Sequence, residues 1–235
     1  MAFKRKPPLD NVRRVISTGQ NIRGVITNKA GRSVQFESWA ERALLLRLDR
    51  EPAVKDYGSQ PETFHYVGEQ GKTRRYTPDF IVWRNDGTEI HEVTCAKRRT
   101  QPQLKQREAA GADICARRGW RYIVHTEQEL PQGGELANLL ALFRYRPTAY
   151  AHPDVAKAVR GRLGPGGVVA LSVLTGQVAQ ELDLPEPRVV AAMAHLLWHG
   201  QLKTDLERLM FGPTPTGLMP GIFVWQEVSH DQPSP

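Results

Sequence analysis

Asp79 stands in the run Arg75-Tyr76-Thr77-Pro78-Asp79-Phe80-Ile81-Val82-Trp83, and Glu92 in Ile90-His91-Glu92-Val93-Thr94. They lie 92 − 79 = 13 positions apart, with Asn85-Asp86-Gly87 between them. Both flanks mix apolar, β-branched and aromatic residues with polar ones, and Asn-Asp-Gly tolerates positive φ, so the stretch reads as two strands and a tight turn. A fold near Asp86 brings the two acids together. Adjacent carboxylates repel, which calls for a cation or basic group between them. Their oxygens suit Mg²⁺, or Mn²⁺ in its place.

The surrounding pattern supplies the elements that would hold this pair. Residues 36–48 carry apolar positions at helical spacing and strong helix formers, and put Glu41 among apolar neighbours. Its alternative reading is a surface pair with Arg42 or Arg47. Residues 63–67 and 73–77 form a second hairpin leading into the Asp79 strand. Residues 102–118 read as a helix stopped by Gly119, and 120–126 as a strand. Strand, helix, strand implies a parallel pairing beside the antiparallel hairpins, hence an α/β fold: a mixed sheet flanked by helices.

Three stretches are expected: a basic N-terminal arm over 1–33, a main domain over 34–147 and a smaller, mostly α domain over 148–235. Tyr145-Arg146-Pro147 and Gly164-Pro165-Gly166-Gly167 bracket a linker region. The last domain reads as a helix from Thr175, a turn at Asp183-Leu184-Pro185-Glu186, a helix over 187–199 and two strands, which is the winged-helix pattern. His195 and His199, one turn apart without a visible third ligand, read as ordinary helix-face histidines rather than a metal pair.

The net charge of +7 favours a polyanionic partner, most simply nucleic acid. Arg13 and Arg14 in the arm, with Arg23, Lys29 and Arg32 after them, are expected to contact backbone phosphates, as are Arg75, Arg98 and Arg99. Cys95 and Cys115 are too few for a disulfide framework or a four-cysteine zinc site and read as reduced core residues. There is no apolar run long enough to cross a membrane, and no signal core after Lys4-Arg5-Lys6, so a cytoplasmic protein without a membrane partner is expected.

Glu41 on a helix with Asp79 and Glu92 on paired strands is the layout of a metal-dependent phosphodiester nuclease, which needs an activated water and positive charge on the phosphate. At these residues the chain resembles the PD-(D/E)XK nucleases, and most closely the TnsA-type endonucleases of prokaryotic heteromeric transposases. Pro78-Asp79, then Glu92-Val93-Thr94, is similar to the nuclease motif, and Ser38-Trp39-Ala40-Glu41 to the first acidic motif. Val54-Lys55-Asp56-Tyr57, Gln60-Pro61 and Arg75 to Phe80 look like the segments between. The resemblance covers roughly residues 30–130. It implies a restriction-endonuclease-like fold, with Glu41, Asp79 and Glu92 as catalytic metal ligands. It also implies double-stranded DNA as the substrate, with cutting of the 5′ strands at transposon ends beside a partner transposase subunit that cuts the 3′ ends and an ATPase regulator. Where the motif has its lysine this chain has Thr94. Lys97, or Lys105 on the next helix, is the candidate replacement. The alternative is a catalytically silent DNA-binding adaptor on the same fold.

Overall fold

A computed structural model of the protein describes residues 22–68, 71–164, 166–212 and 217–226. Arg13 and Arg14 lie outside the described residues. The chain divides into two compact units, one up to Pro131 and one from Gln132.

The first unit runs β1 (Gly24–Thr27), β2 (Ser33–Phe36), α1 (Trp39–Arg50), β3 (Val54–Ser59), β4 (Phe64–Val67), β5 (Thr73–Tyr76), β6 (Phe80–Arg84), β7 (Thr88–Thr94), α2 (Pro102–Arg117) and β8 (Arg121–Thr126). Its main sheet has the order β3-β6-β7-β8. β3, β6 and β7 pair antiparallel, and β8 lies parallel to β7 after the α2 crossover, so the sheet is mixed. β4 and β5 form a separate hairpin.

Strand alternation divides the side chains of β6 and β7 between two faces. Ile81, Trp83 and Ile90 face a cluster with Phe64 and with Cys115 of α2, which Tyr76, Ile114, Trp120 and Tyr122 extend. The other face carries Glu89 and His91. α2 approaches the sheet at Gly111, where a Cβ would overlap the Tyr76 hydroxyl and the Tyr122 ring. Arg107 lies one helical turn before Gly111, on the same side of α2.

Residues 22–36 form a β hairpin built onto this unit. The Asn28 amide donates to Asp56 and to the Tyr57 carbonyl of β3, while its oxygen accepts from the Ala30 and Arg32 N–H groups. The Lys29 ammonium donates to the Glu51 and Val54 carbonyls, and Arg32 pairs with Asp56 at 3.2 Å. These two cations therefore anchor the hairpin, rather than extend from an arm to reach phosphates. Cys115 is buried as expected, but Cys95 is exposed, because β7 ends at Thr94 and the chain turns outward there.

The second unit contains α3 (Gly133–Leu142), α4 (Pro153–Leu163), β9 (Val168–Ala170), α5 (Leu171–Leu182), α6 (Glu186–Trp198), β10 (Lys203–Thr204) and β11 (Phe223–Trp225). Its small antiparallel sheet has the order β10-β11-β9. The stretch expected as linker contains α4: Pro153 opens the helix, the His152 ring accepts from the Val155 N–H, and Gly164 at φ 59 closes it. α5 begins at Leu171, before the expected Thr175. α6 is apolar on all sides: among its residues only Glu186, Pro187 and Arg188 are exposed, and Val189 to Trp198 lie inside except for half-buried Ala191. His195 and His199 each hydrogen-bond a carbonyl, of Tyr145 and Arg146 respectively, in keeping with helix-face histidines. Among the described residues no helix is long and apolar enough to cross a membrane.

Candidate active site

The β6–β7 hairpin pairs Phe80 with His91 and Ile81 with Ile90. Continuing that register by one step sets Asp79 opposite Glu92, just where the ladder ends. Asp79 Oδ2 accepts the Val93 N–H at 2.8 Å, which fixes the carboxyl against β7. Glu92 is buried, and its Oε1 accepts no hydrogen bond. Burial raises both acids above their ordinary range. The Asp79 charge raises Glu92 further, while the Val93 N–H and Arg107 moderate Asp79. Two buried carboxyls in hydrogen-bonding reach of one another hold one proton between them, and Glu92 is the one that keeps it. A buried carboxylate oxygen without a donor, beside a second carboxylate, is the setting in which a hard divalent cation replaces that proton. Asp79 and Glu92 thus fit such an ion as oxygen ligands.

Glu41 reaches the same neighbourhood from the start of α1. Ser38 caps the helix and accepts the Glu41 N–H at 3.1 Å. The Glu41 carboxylate turns back to accept the Glu37 N–H at 2.8 Å and the Ser38 hydroxyl at 3.1 Å. This is a variant of the reciprocal capping box, in which the acid reaches the N–H one residue before the cap. Burial first, and then the Asp79 charge, push Glu41 up to about 7 against the opposing effect of those two donors. Asp79 and Glu92 are drawn together as a pair, with Glu41 near Asp79 but engaged on its own helix end. Among the described residues no set of three or more His, Cys, Asp and Glu side chains stands close enough to enclose a metal.

The basic residues distribute less simply. Thr94 shares a face of β7 with Glu92 and brings no charge. Lys97 and Lys105 are exposed, Lys97 in the turn beyond β7 and Lys105 on α2. The cation that does reach the acids is Arg107: its Nη2 lies 3.6 Å from Glu92 Oε2, and its guanidinium sits 5.3 Å from the centre of the Tyr76 ring. Glu108 beside it adds further negative charge near Glu92 and pairs with Arg99 at 3.4 Å. Arg75, Arg98 and Arg99 are exposed, on β5 and in the turn after β7. Reading α2 by its inward stripe of Leu104, Glu108, Gly111 and Cys115 is what would have pointed to Arg107 on the stripe's flank.

The opposite face of β7 holds a separate polar network. Buried Glu89 receives Arg84 and Arg121, and its Oε2 lies 2.9 Å from His91 Nε2. His91 Nδ1 meets His125 Nε2 at 2.8 Å, with the rings stacked at 5.0 Å. Burial first, then neighbouring His91, lower His125 to about 4. Through Glu51, which also binds Arg84, this network ties the end of α1 to the sheet.

No curated protein matches the chain. Residues 51–127, from just before β3 to just after β8, match the family model described as TnsA-like endonuclease N terminal. The matched stretch includes Asp79, Glu92, Thr94 and Arg107, and it leaves Glu41 outside. Over that stretch, about a third of the 235 residues, the chain is similar to the N-terminal domain of TnsA-like endonucleases.

Proposed function

We propose that the chain is the metal-dependent endonuclease subunit of a heteromeric transposase, cutting the 5′ strands at transposon ends. The observation that carries this reading is the buried Asp79–Glu92 pair with its unpartnered Glu92 oxygen. Asp79 and Glu92 would hold Mg²⁺, or Mn²⁺ in its place, with Glu41 as a third ligand once its carboxylate leaves the helix cap. The ion supplies a water acidic enough to attack at neutral pH and positive charge for the leaving oxygen. The chain's own contribution is placement. The Val93 N–H holds Asp79, β7 holds Glu92, and the exposed Arg75, Arg98 and Arg99 would grip phosphates, joined by Arg13 and Arg14, which lie outside the described residues. The second unit's order, α4-β9-α5-α6-β10-β11 with sheet order β10-β11-β9, supports a winged-helix domain. Such domains also serve as docking modules, and the ATPase regulator is the partner we assign to it.

The test is Mn²⁺ binding by titration calorimetry, followed by cleavage of a plasmid carrying a transposon end, with the full chain and its partner transposase. Asp79→Asn should bind Mn²⁺ at least tenfold more weakly and stop 5′-strand cutting while DNA binding persists. Undiminished cutting by that variant refutes the proposal. Thr94 favours the second reading, a silent adaptor. That reading expects salt-sensitive DNA binding by the wild-type chain with no metal-dependent cutting.

A further inference from the structure

Arg107 occupies a position that the nuclease layout leaves open. Its side chain is 31% exposed while that of Glu92 is 3% exposed, so it spans from the buried acid to the surface. Its separation of 3.6 Å from Glu92 exceeds the roughly 2.7–2.9 Å of a charge-assisted hydrogen bond, so the guanidinium is steered by Glu92 without being fastened to it. Its Nε is buried without a hydrogen-bond partner. The Tyr76 ring supports one side of the group. Gly111, one turn further along α2, lets the helix approach closely enough for this reach. Thr94, on the same strand face as Glu92, contributes no positive charge.

We infer that Arg107 is the residue that clamps the scissile phosphate, in the role a lysine at position 94 would otherwise fill. The inference rests on the nuclease reading above. A guanidinium stays protonated throughout, so Arg107 takes no proton from the attacking water. It stabilises charge: its planar fork donates two parallel N–H bonds to the phosphate oxygens, where negative charge grows as the bond breaks. In the protein alone it serves as counter-ion to the Asp79–Glu92 pair, which carries one negative charge between its two carboxyls. With that charge taken up elsewhere, the guanidinium turns outward by its own length to meet DNA. No covalent bond forms to Arg107.

The experiment uses the full chain with its partner transposase, a plasmid carrying the transposon end, and Mn²⁺. Arg107→Ala should lower the cutting rate at saturating DNA at least a hundredfold with little change in the DNA concentration needed for half-maximal rate. Arg107→Lys should retain part of the rate. Adding Thr94→Lys to Arg107→Ala should recover at least tenfold. Independently of activity, Arg107→Ala should bind Mn²⁺ at least threefold more tightly in calorimetry, because a competing cation has left Glu92. Arg107→Ala cutting within threefold of wild type, while Asp79→Asn is inactive, overturns the inference and leaves the nuclease reading standing. Unchanged Mn²⁺ affinity overturns the counter-ion role. A wild-type complex that never cuts ends both. Unfolding midpoints of the variants identify any loss due to misfolding, and Arg107→Lys then carries the test.

Discussion

Glu41 is asked to do two jobs, and replacing it with glutamine separates them. Glutamine is accepted at the third position of a capping box, so Glu41→Gln keeps the start of α1 intact. What it removes is a charge that the fold disfavours. The acid stands near 7 in the folded chain against an ordinary 4.5. Its folded value is raised, so its stabilising contribution is complete below about 4.5 and disappears as the pH climbs through 7. The gap of 7 − 4.5 = 2.5, at about 1.4 kcal/mol for each pH step, gives a penalty on the order of 3 kcal/mol at pH 8. Urea unfolding of the full chain in EDTA, followed by far-UV circular dichroism, should therefore find Glu41→Gln more stable than wild type by on the order of 3 kcal/mol at pH 8. At pH 4 the two should nearly coincide. If Glu41 is a ligand, saturating Mn²⁺ should narrow the pH 8 gap, with the wild type gaining about 2.7 kcal/mol at a hundredfold excess over its dissociation constant and the variant less. A variant no more stable than wild type at pH 8 without metal would refute the assignment of Glu41 as a buried, charge-strained acid.

Two further outcomes follow from the packing. Gly111→Ala should destabilise the first unit by about 1–2 kcal/mol in urea unfolding, because overlap with Tyr76 and Tyr122 outweighs the gain in helix propensity. For His125, a folded value near 4 against 6.5 means that stability is lost as the pH falls from 6.5 towards 4. His125→Asn should therefore gain on wild type over that range in parallel unfolding midpoints.

The hairpin carrying the acids was open to reading because its signals are local: Asn85-Asp86-Gly87 fixes the turn, and the turn fixes the register that faces Asp79 with Glu92. The parallel β7–β8 pairing was legible for the same reason, since a crossover helix has only one common outcome. α4 is masked in the sequence, although Pro153 and Gly164 mark its ends, because the breaker run Gly164-Pro165-Gly166-Gly167 follows it directly and makes the whole stretch resemble a loop. Arg107 was hidden by a different cause. Which side of a helix turns inward depends on contacts made across the sheet, and here a glycine allowing close approach decides it. The ends of strands were equally obscure: β7 stops at Thr94, which turns Cys95 outward and carries Lys97 away from the strand.

The interior of α6 bears on how such a protein finds its place on a genome. A helix that reads the major groove must offer amide, guanidinium or hydroxyl groups to base edges along a stripe of its surface. From Val189 to Trp198 α6 has aliphatic side chains, the Met193 thioether, an indole and one inward histidine, all buried within its own unit except half-buried Ala191. If the chain acts on DNA as proposed, base contacts from α6 could come only from its exposed start at Glu186 and Arg188, and changing residues 189–198 would alter solidity rather than destination.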